Sequence, residues 1–506
     1  MKLKTFYGDI HSHCGASYGH GSLREALTNA RMQLDFVSVT GHGLWPDMPR
    51  NQPGMERRIR YHEDGFKKLA AGWDAFCEES DAANREGEFV SFLGYELHSC
   101  ADGDQTVMYR DGQGQILNTP GVPALREALA ALNRQGVEAM CFTHHIGYKK
   151  GYRGINWRNF SNEVSPVVEI FSMHGCSEGD HSPYPYLHSM GPCDVESTYS
   201  TGLKMGHIVG VTASTDHHSA HPGSHGHGRV AVLAPSLNRQ SIWEAIRRRR
   251  TVALTGDNVE LHFSLNDALM GSVIETPAAS RHLNMAIKAG GAIRGIELLK
   301  NETVMQRFWP AIPEGVGTAS GIVRAKVNLE VGWGSRGRPV DWRVRFGPRA
   351  GDILVAEPRF KGSDTVSPDE TENEFCYSSW QQHDSRSVSF QTRTRGNSTP
   401  VTNGNQGFSL EVEMPATGII DLEVNELRLS IPLLEILSGA RSGYIGGYGT
   451  PAFRLSAATA EFYELNTSVS DRADGEPLCN GYDVYRVRIE QWNRQWAWSS
   501  PVWIAR

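Results

Sequence analysis

The chain has 506 residues, 39% of them apolar and a further 53 glycine, enough to bury one large core or two, so disorder is excluded as its default state. Fifty basic residues stand against 57 acidic ones, a net charge of −7 at pH 7, which gives no long-range attraction for nucleic acid or anionic lipid. No run approaches about 18 consecutive apolar residues, and the amino terminus enters a strand without a signal-peptide core. A soluble, cytoplasmic protein is expected, with a small-molecule substrate, no nucleic-acid or membrane partner, and homo-oligomerisation left open.

The first half alternates short apolar runs with helical patterns. Residues 5–10 read as a strand, and Ser22 with Glu25 forms a capping box that opens an amphipathic helix to about Met32. Residues 35–40 are the next strand, the charged segment 55–86 is helical, 89–95 is a third strand and 122–134 a helix. Strands follow at 139–143, 167–171 and 208–213, then a helix at 239–249 and a last short strand at 251–254. Strands alternating with helices predict parallel βαβ units, and an α/β barrel is the commonest way to close so many. After Gly256 the pattern changes to alternating polar and apolar residues, as in the run from Val340 to Val344, and eight of the 12 tryptophans fall here. A β-rich, sandwich-like domain is expected over 257–506, with long polar loops at 362–374 and 396–407.

Eight cysteines, irregularly spaced and without a CxxC pair, suit neither a disulfide framework nor a thiolate zinc site. Histidine is the informative residue, because 17 of the 20 lie at or before His227. They stand with carboxylates at the carboxyl ends of the predicted strands: Asp9, His11 and His13; His42; Glu96; His144 and His145; His174; and Asp216, His217 and His218. In a parallel barrel those ends share one mouth. Each residue alone is an ordinary polar strand end, but six coincidences in successive units point to a metal site. So many ligands exceed one tetrahedral ion and imply two or three divalent metals, about 3.5–4 Å apart, with a carboxylate such as Glu96 bridging.

The motifs Asp9-Ile10-His11-Ser12-His13, Thr40-Gly41-His42 and Thr215-Asp216-His217-His218 resemble those of the PHP (polymerase and histidinol phosphatase) superfamily, and within it a PHP-like family known only as a domain of unknown function. The resemblance implies a distorted (β/α)7 barrel over 1–256 holding up to three zinc, manganese or iron ions. Carried over residue by residue, it implies His11, His13, Glu96 and Asp216 at the first metal, and Glu96, His144 and His174 at the second. His20, His42 and His218 would hold the third. Between His144 and His145 the choice stays open, since neighbours on a strand point to opposite faces. The family aspartate of Thr-Asp-His is Gly41 here, which removes a carboxylate that would orient the site.

A hydroxide bridging divalent metals is a nucleophile near neutral pH. Asp216 is placed to be ligand and proton acceptor, while His217, His145 or His221 is placed to protonate a leaving group. A phosphoester substrate also calls for a cation on its anionic oxygens, and Lys149, Lys150, Arg153 and Arg229 are offered by the same loops. Residues 148–157 and 181–199 read as substrate-contacting loops. The expected activity is a metal-dependent phosphoesterase. Two alternatives stand beside it: an amide, ester or lactone hydrolase of the same metal type, and a non-catalytic binding module whose tryptophans 309, 333, 342 and 380 receive a glycan or partner.

Overall fold

A computed structural model describes residues 3–186, 190–310, 321–335, 337–363, 376–396 and 403–506. Most of the expected 362–374 loop, and parts of those at 396–407 and 181–199, lie outside the described residues. The first half comprises β1 (Lys4–Ser12), α1 (Leu23–Gln33), β2 (Phe36–Leu44), α2 (Glu56–Ala71), α3 (Trp73–Ala82), β3 (Val90–Leu97), β4 (Gln105–Tyr109), α4 (Val122–Arg134), β5 (Ala139–Thr143), β6 (Val167–Ser172), β7 (Gly175–Cys176), α5 (Tyr199–Lys204), β8 (Gly210–Ala213), β9 (Arg229–Ala234), α6 (Arg239–Arg247) and β10 (Thr251–Leu254). The Ser22–Glu25 capping box opens α1 as its sequence predicts. The long charged segment forms two helices rather than one, meeting at Gly72.

The fold is α/β and strand-rich, but the sheets are not closed, and the expected (β/α)7 barrel is not seen among the described residues. β1, β2 and β3 pair in parallel, as do β6 and β8 in a separate three-stranded sheet. β4 then runs antiparallel between β3 and β5, and β9 runs antiparallel between β1 and β10. The cause is local: the connection from β3 to β4 is too short for the helical crossover a parallel neighbour requires. The sheet also continues across residue 256, where β10 pairs with the strand Trp496–Ser499, so late strands extend the 13-stranded sheet built on β1.

The rest is antiparallel. Two five-stranded sheets, one containing Ile322–Trp333 and the other Val340–Pro348, share a core in which Val327 and Leu329 meet Trp342, Phe346 and Phe390. The strand Ile322–Trp333 turns Ala325, Val327, Leu329 and Val331 inward, in the period of two that the sequence shows. No helix among the described residues is long and apolar enough to cross a membrane.

At the joint between β1 and β2, Asp35 accepts the Tyr7 N–H at 2.7 Å, and burial lifts its carboxyl to about 6. A carboxyl raised in the folded state binds its proton more tightly there, so its contribution to stability falls as pH rises from about 4 to 6. Asp35→Asn keeps an acceptor for Tyr7 and carries no charge. It is expected to stabilise the protein at pH 7.5 by about 2 kcal/mol and to flatten this part of the pH profile, read as thermal midpoints at pH 5 and 7.5.

Candidate metal centre

β1, β2, β3, β5, β6 and β8 deliver their ends to one buried cluster, and the ends of β1 and β8 are tied together. Asp9 Oδ1 accepts the N–H groups of His11 (3.2 Å) and Thr215 (3.1 Å), while Oδ2 accepts the Thr215 hydroxyl (2.5 Å) and the Gly223 N–H (2.9 Å). Burial raises Asp9 to about 6 against the pull of these donors. The backbone is left-handed at four non-glycine residues here: His145 (φ 33°), Arg153 (φ 75°), Asp216 (φ 54°) and Ala220 (φ 50°). Such strain persists where the surroundings enforce it, and it collects at functional sites.

Five of the imidazoles share one arrangement, in which Nδ1 is held by an outer oxygen and Nε2 turns toward carboxylates. His11 Nδ1 lies 2.9 Å from Glu169 Oε2, and His13 Nδ1 bonds to the Thr40 carbonyl. His42 Nδ1 lies 2.9 Å from Ser17 Oγ, His144 Nδ1 3.0 Å from Thr106 Oγ1, and His174 Nδ1 2.6 Å from Tyr148 Oη. An acceptor on Nδ1 keeps the proton there and leaves the Nε2 lone pair free for a metal. The Nε2 atoms of His11 and His13 are only 3.1 Å apart. Glu96 Oε2 is 3.4 and 3.1 Å from them, and Asp216 Oδ1 3.5 and 3.1 Å. Lone pairs and anionic oxygens that close repel unless a cation lies among them.

Two carboxylates each face two ways. Glu96 Oε2 serves His11, His13 and His42, the last at 3.6 Å, while Oε1 lies 2.8 Å from His98 Nδ1 and 3.3 Å from His144 Nε2. Asp216 Oδ1 faces His13, and Oδ2 lies 2.7 Å from His174 Nε2. Burial opposes ionisation of both acids. The facing imidazoles outweigh it, led by His98 and His144 for Glu96 and by His11 and His174 for Asp216, and hold both well below the usual carboxylate range. Burial would lower His11 and His13 too, but the surrounding carboxylates raise both. His42, His144 and His174 are lowered, first by burial, and His218 falls to about 3. A field that draws a proton onto one pair of rings and keeps the others neutral is also one that draws a metal ion.

Among the described residues, five overlapping sets of ligand atoms result: His11, His13, Glu96 and Asp216; His13, His42 and His218; His42, Glu96 and His98; Asp104, His144 and His145; and His145, His174 and Asp216. His144 and His145 both join, because the left-handed turn at His145 breaks the strand alternation that would separate them. Of the other expected residues, His20 enters none of these sets, although its N–H donates to the His218 carbonyl at 2.8 Å. His217 and His221 also stay outside them. The His217 ring stacks on His227, 5.6 Å between centroids, against the backbone of Gly362. Arg229 is buried and donates to the Gly223 carbonyl and Gln33 Oε1, propping the loop rather than facing the ligands.

Three residues of the centre, His98, Asp104 and Glu169, carry no role in the sequence reading. His98 lies two residues beyond Glu96. Asp104 immediately precedes β4, and its Oδ2 is 3.3 Å from His145 Nε2. Glu169, on β6, anchors His11 and accepts the His145 N–H at 3.0 Å. Arg153, one of four cations read as alternatives, donates to Asp104 and lies 2.7 Å from His98 Nδ1 and 3.8 Å from Glu96 Oε1.

Gly41 has a packing reason. A Cβ there would lie 2.5 Å from Leu69 of α2, which is almost fully buried. Gly41→Asp is expected to destabilise the fold by about 1–3 kcal/mol through overpacking, and Gly41→Asp with Leu69→Ala to relieve the clash while leaving Leu69's lost packing, read by urea denaturation.

No family model matches the chain. It is 24% identical over 386 residues to an uncharacterized protein of Chlamydia trachomatis, covering 60% of this chain and 61% of that one. It is 27% identical over 374 residues to one of Chlamydia muridarum, covering 58% and 59%. The chain thus spans about three fifths of the length of these relatives. A solved structure from Bacteroides vulgatus, a two-domain protein containing a predicted PHP-like metal-dependent phosphoesterase, aligns with 85% of this chain and 96% of its own at 11% identity. Its TM-score is 0.31, a weak likeness that adds no weight of its own.

Proposed function

We propose that the chain is a metal-dependent hydrolase, a phosphoesterase acting on a small organic phosphate ester. The observation that carries this reading is the set of imidazoles whose Nδ1 atoms are anchored outward and whose Nε2 atoms converge on Glu96 and Asp216. The donor set, all nitrogen and carboxylate oxygen, suits zinc, manganese or iron. His11, His13, Glu96 and Asp216 would hold one ion. Glu96, His144 and His174, joined by Asp104, would hold a second, and His42 and His218, with His98, a third. Divalent ions held there supply the positive charge that acidifies water and polarises the oxygen under attack. Arg153 brings a guanidinium to the edge of the cluster, where it can neutralise an anionic ester. His145, paired through Nε2 with Asp104, would pass a proton to a leaving oxygen from Nδ1, which has no hydrogen-bond partner among the described residues.

One observation favours the second reading, hydrolysis of an amide, ester or lactone. The Arg153 guanidinium already donates to Asp104, which reduces what it can offer a phosphate. Metal-loaded protein assayed on p-nitrophenyl phosphate mono- and diesters, carboxyl esters and anilides separates the two. Turnover of the phosphates is expected, and turnover confined to carboxyl compounds would replace the first reading with the second.

A further inference from the structure

Outside the metal centre, the outer face of the five-stranded sheet around Ile322–Trp333 carries two cavities, of about 250 Å³ and 500 Å³, that share Arg454. The first is walled by Asn328, Asn405, Gln495 and Trp492. The second is walled by Trp333, Tyr444 and Tyr448. Between them Glu330 and Arg454, directly opposed across the strand pair, form an ion pair at 3.2 Å. On the other side Glu330 faces Gly407, where a Cβ would come within 3.3 Å of the Arg359 side chain. We propose that this face binds a neutral oligosaccharide, laid along the sheet with an aromatic platform at each end.

The chemistry of the walls selects that ligand. Two of the three lysine and arginine cations are balanced by carboxylates, Arg454 by Glu330 and Arg359 by Asp257 at 3.3 Å and Glu357 at 3.4 Å, and the third, Lys361, donates to the Asn403 carbonyl at 2.6 Å, so a polyanion gains little here. Three amides spend their oxygens internally. Asn328 Oδ1 accepts from Arg359 (3.1 Å), Asn405 Oδ1 from the Trp333 N–H (3.0 Å), and Gln495 Oε1 from the Thr255 hydroxyl (2.7 Å). Their NH2 groups remain as donors, and Glu330 as an acceptor, which is what the hydroxyls of a sugar pair with. Trp492 is half exposed, with the Arg294 guanidinium 5.6 Å over its ring, Tyr444 is more exposed, and Tyr448 stands fully in water, a placement that offers amphipathic rings for stacking on the apolar face of a pyranose. A cavity of about 250 Å³ takes a small ligand rather than a drug-sized one, and the second cavity extends the surface. Of the four tryptophans the sequence offers for this role, Trp342 is core and Trp380 donates to the Met32 carbonyl. Trp333 lies on the proposed surface, and Trp492 joins it from outside that set.

The test is calorimetric titration of the full-length protein with neutral hexaoses of glucose (α-1,4 and β-1,4), xylose, mannose and N-acetylglucosamine, with heparin hexasaccharide as the anionic arm. At least one neutral hexaose is expected to bind. Trp492→Ala or Tyr448→Ala should weaken it tenfold or more without changing the thermal midpoint or metal content. No binding by any neutral hexaose, binding of heparin alone, or binding untouched by both substitutions would overturn the proposal.

Discussion

His11→Ala and Asp216→Ala are each expected to lose bound metal and turnover together, while His20→Ala keeps both within a few-fold. His11 is fully buried between Glu169, Glu96 and Asp216, so its removal leaves acidic oxygens facing one another with no imidazole between. Asp216 faces His13 through one oxygen and His174 through the other, so its loss opens two ligand sets at once. Partners outside the ligand shell are alone worth about 10–100-fold in metal affinity, and loss of a ligand should exceed that. Metal content by plasma mass spectrometry, beside turnover of the best p-nitrophenyl substrate, reads both effects. Retention of metal with loss of activity would make Asp216 a proton-handling residue only. Retention of both in His11→Ala would remove it from the centre.

Glu169→Gln carries the second large effect, because Glu169 does its work through another residue. Its two oxygens meet two different donors, His11 Nδ1 and the His145 backbone N–H. The amide of glutamine can serve only one of them as an acceptor. If it keeps His145, it turns its NH2 toward His11 Nδ1, drives the proton to Nε2 and removes the lone pair a metal needs. The expected result is a metal-activation curve shifted about 10–100-fold to higher concentration, with turnover recovered at saturating metal. An unchanged activation curve would make Glu169 a buried polar residue of the strand. Loss of turnover that metal cannot restore would place it in the chemistry.

Strand ends were the legible part of this site. A residue that ends a parallel strand is brought to the mouth by the fold itself, and the sequence places His11, His13, His42, Glu96, His144, His174, Asp216 and His218 there, all of which enter the ligand sets. What the sequence hides is set by turns. Asp104 depends on β4 folding back antiparallel, which no 3.6-residue period announces. Glu169 lies within a buried strand, where the apolar run masks a lone carboxylate. His98 was readable in principle, since Glu96 and His98 are two apart and alternation puts them on one face. His217 illustrates the reverse: adjacent to two residues of the ligand sets, it turns toward His227 instead. The open sheets have a related origin: a short connection returns β4 antiparallel to β3, and β9 runs antiparallel to β1 and β10, where a closed parallel barrel needs parallel neighbours. At Gly41 the missing carboxylate was legible, but its cause, Leu69 filling the space, required the packing of α2.

Elemental analysis of the full-length protein after incubation with zinc or manganese and exhaustive desalting tests the central claim most directly. Two or three equivalents of divalent metal per chain are expected, falling by at least one in His11→Ala and further in Asp216→Ala, which opens two ligand sets. A wild-type chain that retains no metal under those conditions would mean that these imidazoles and carboxylates meet for some other purpose.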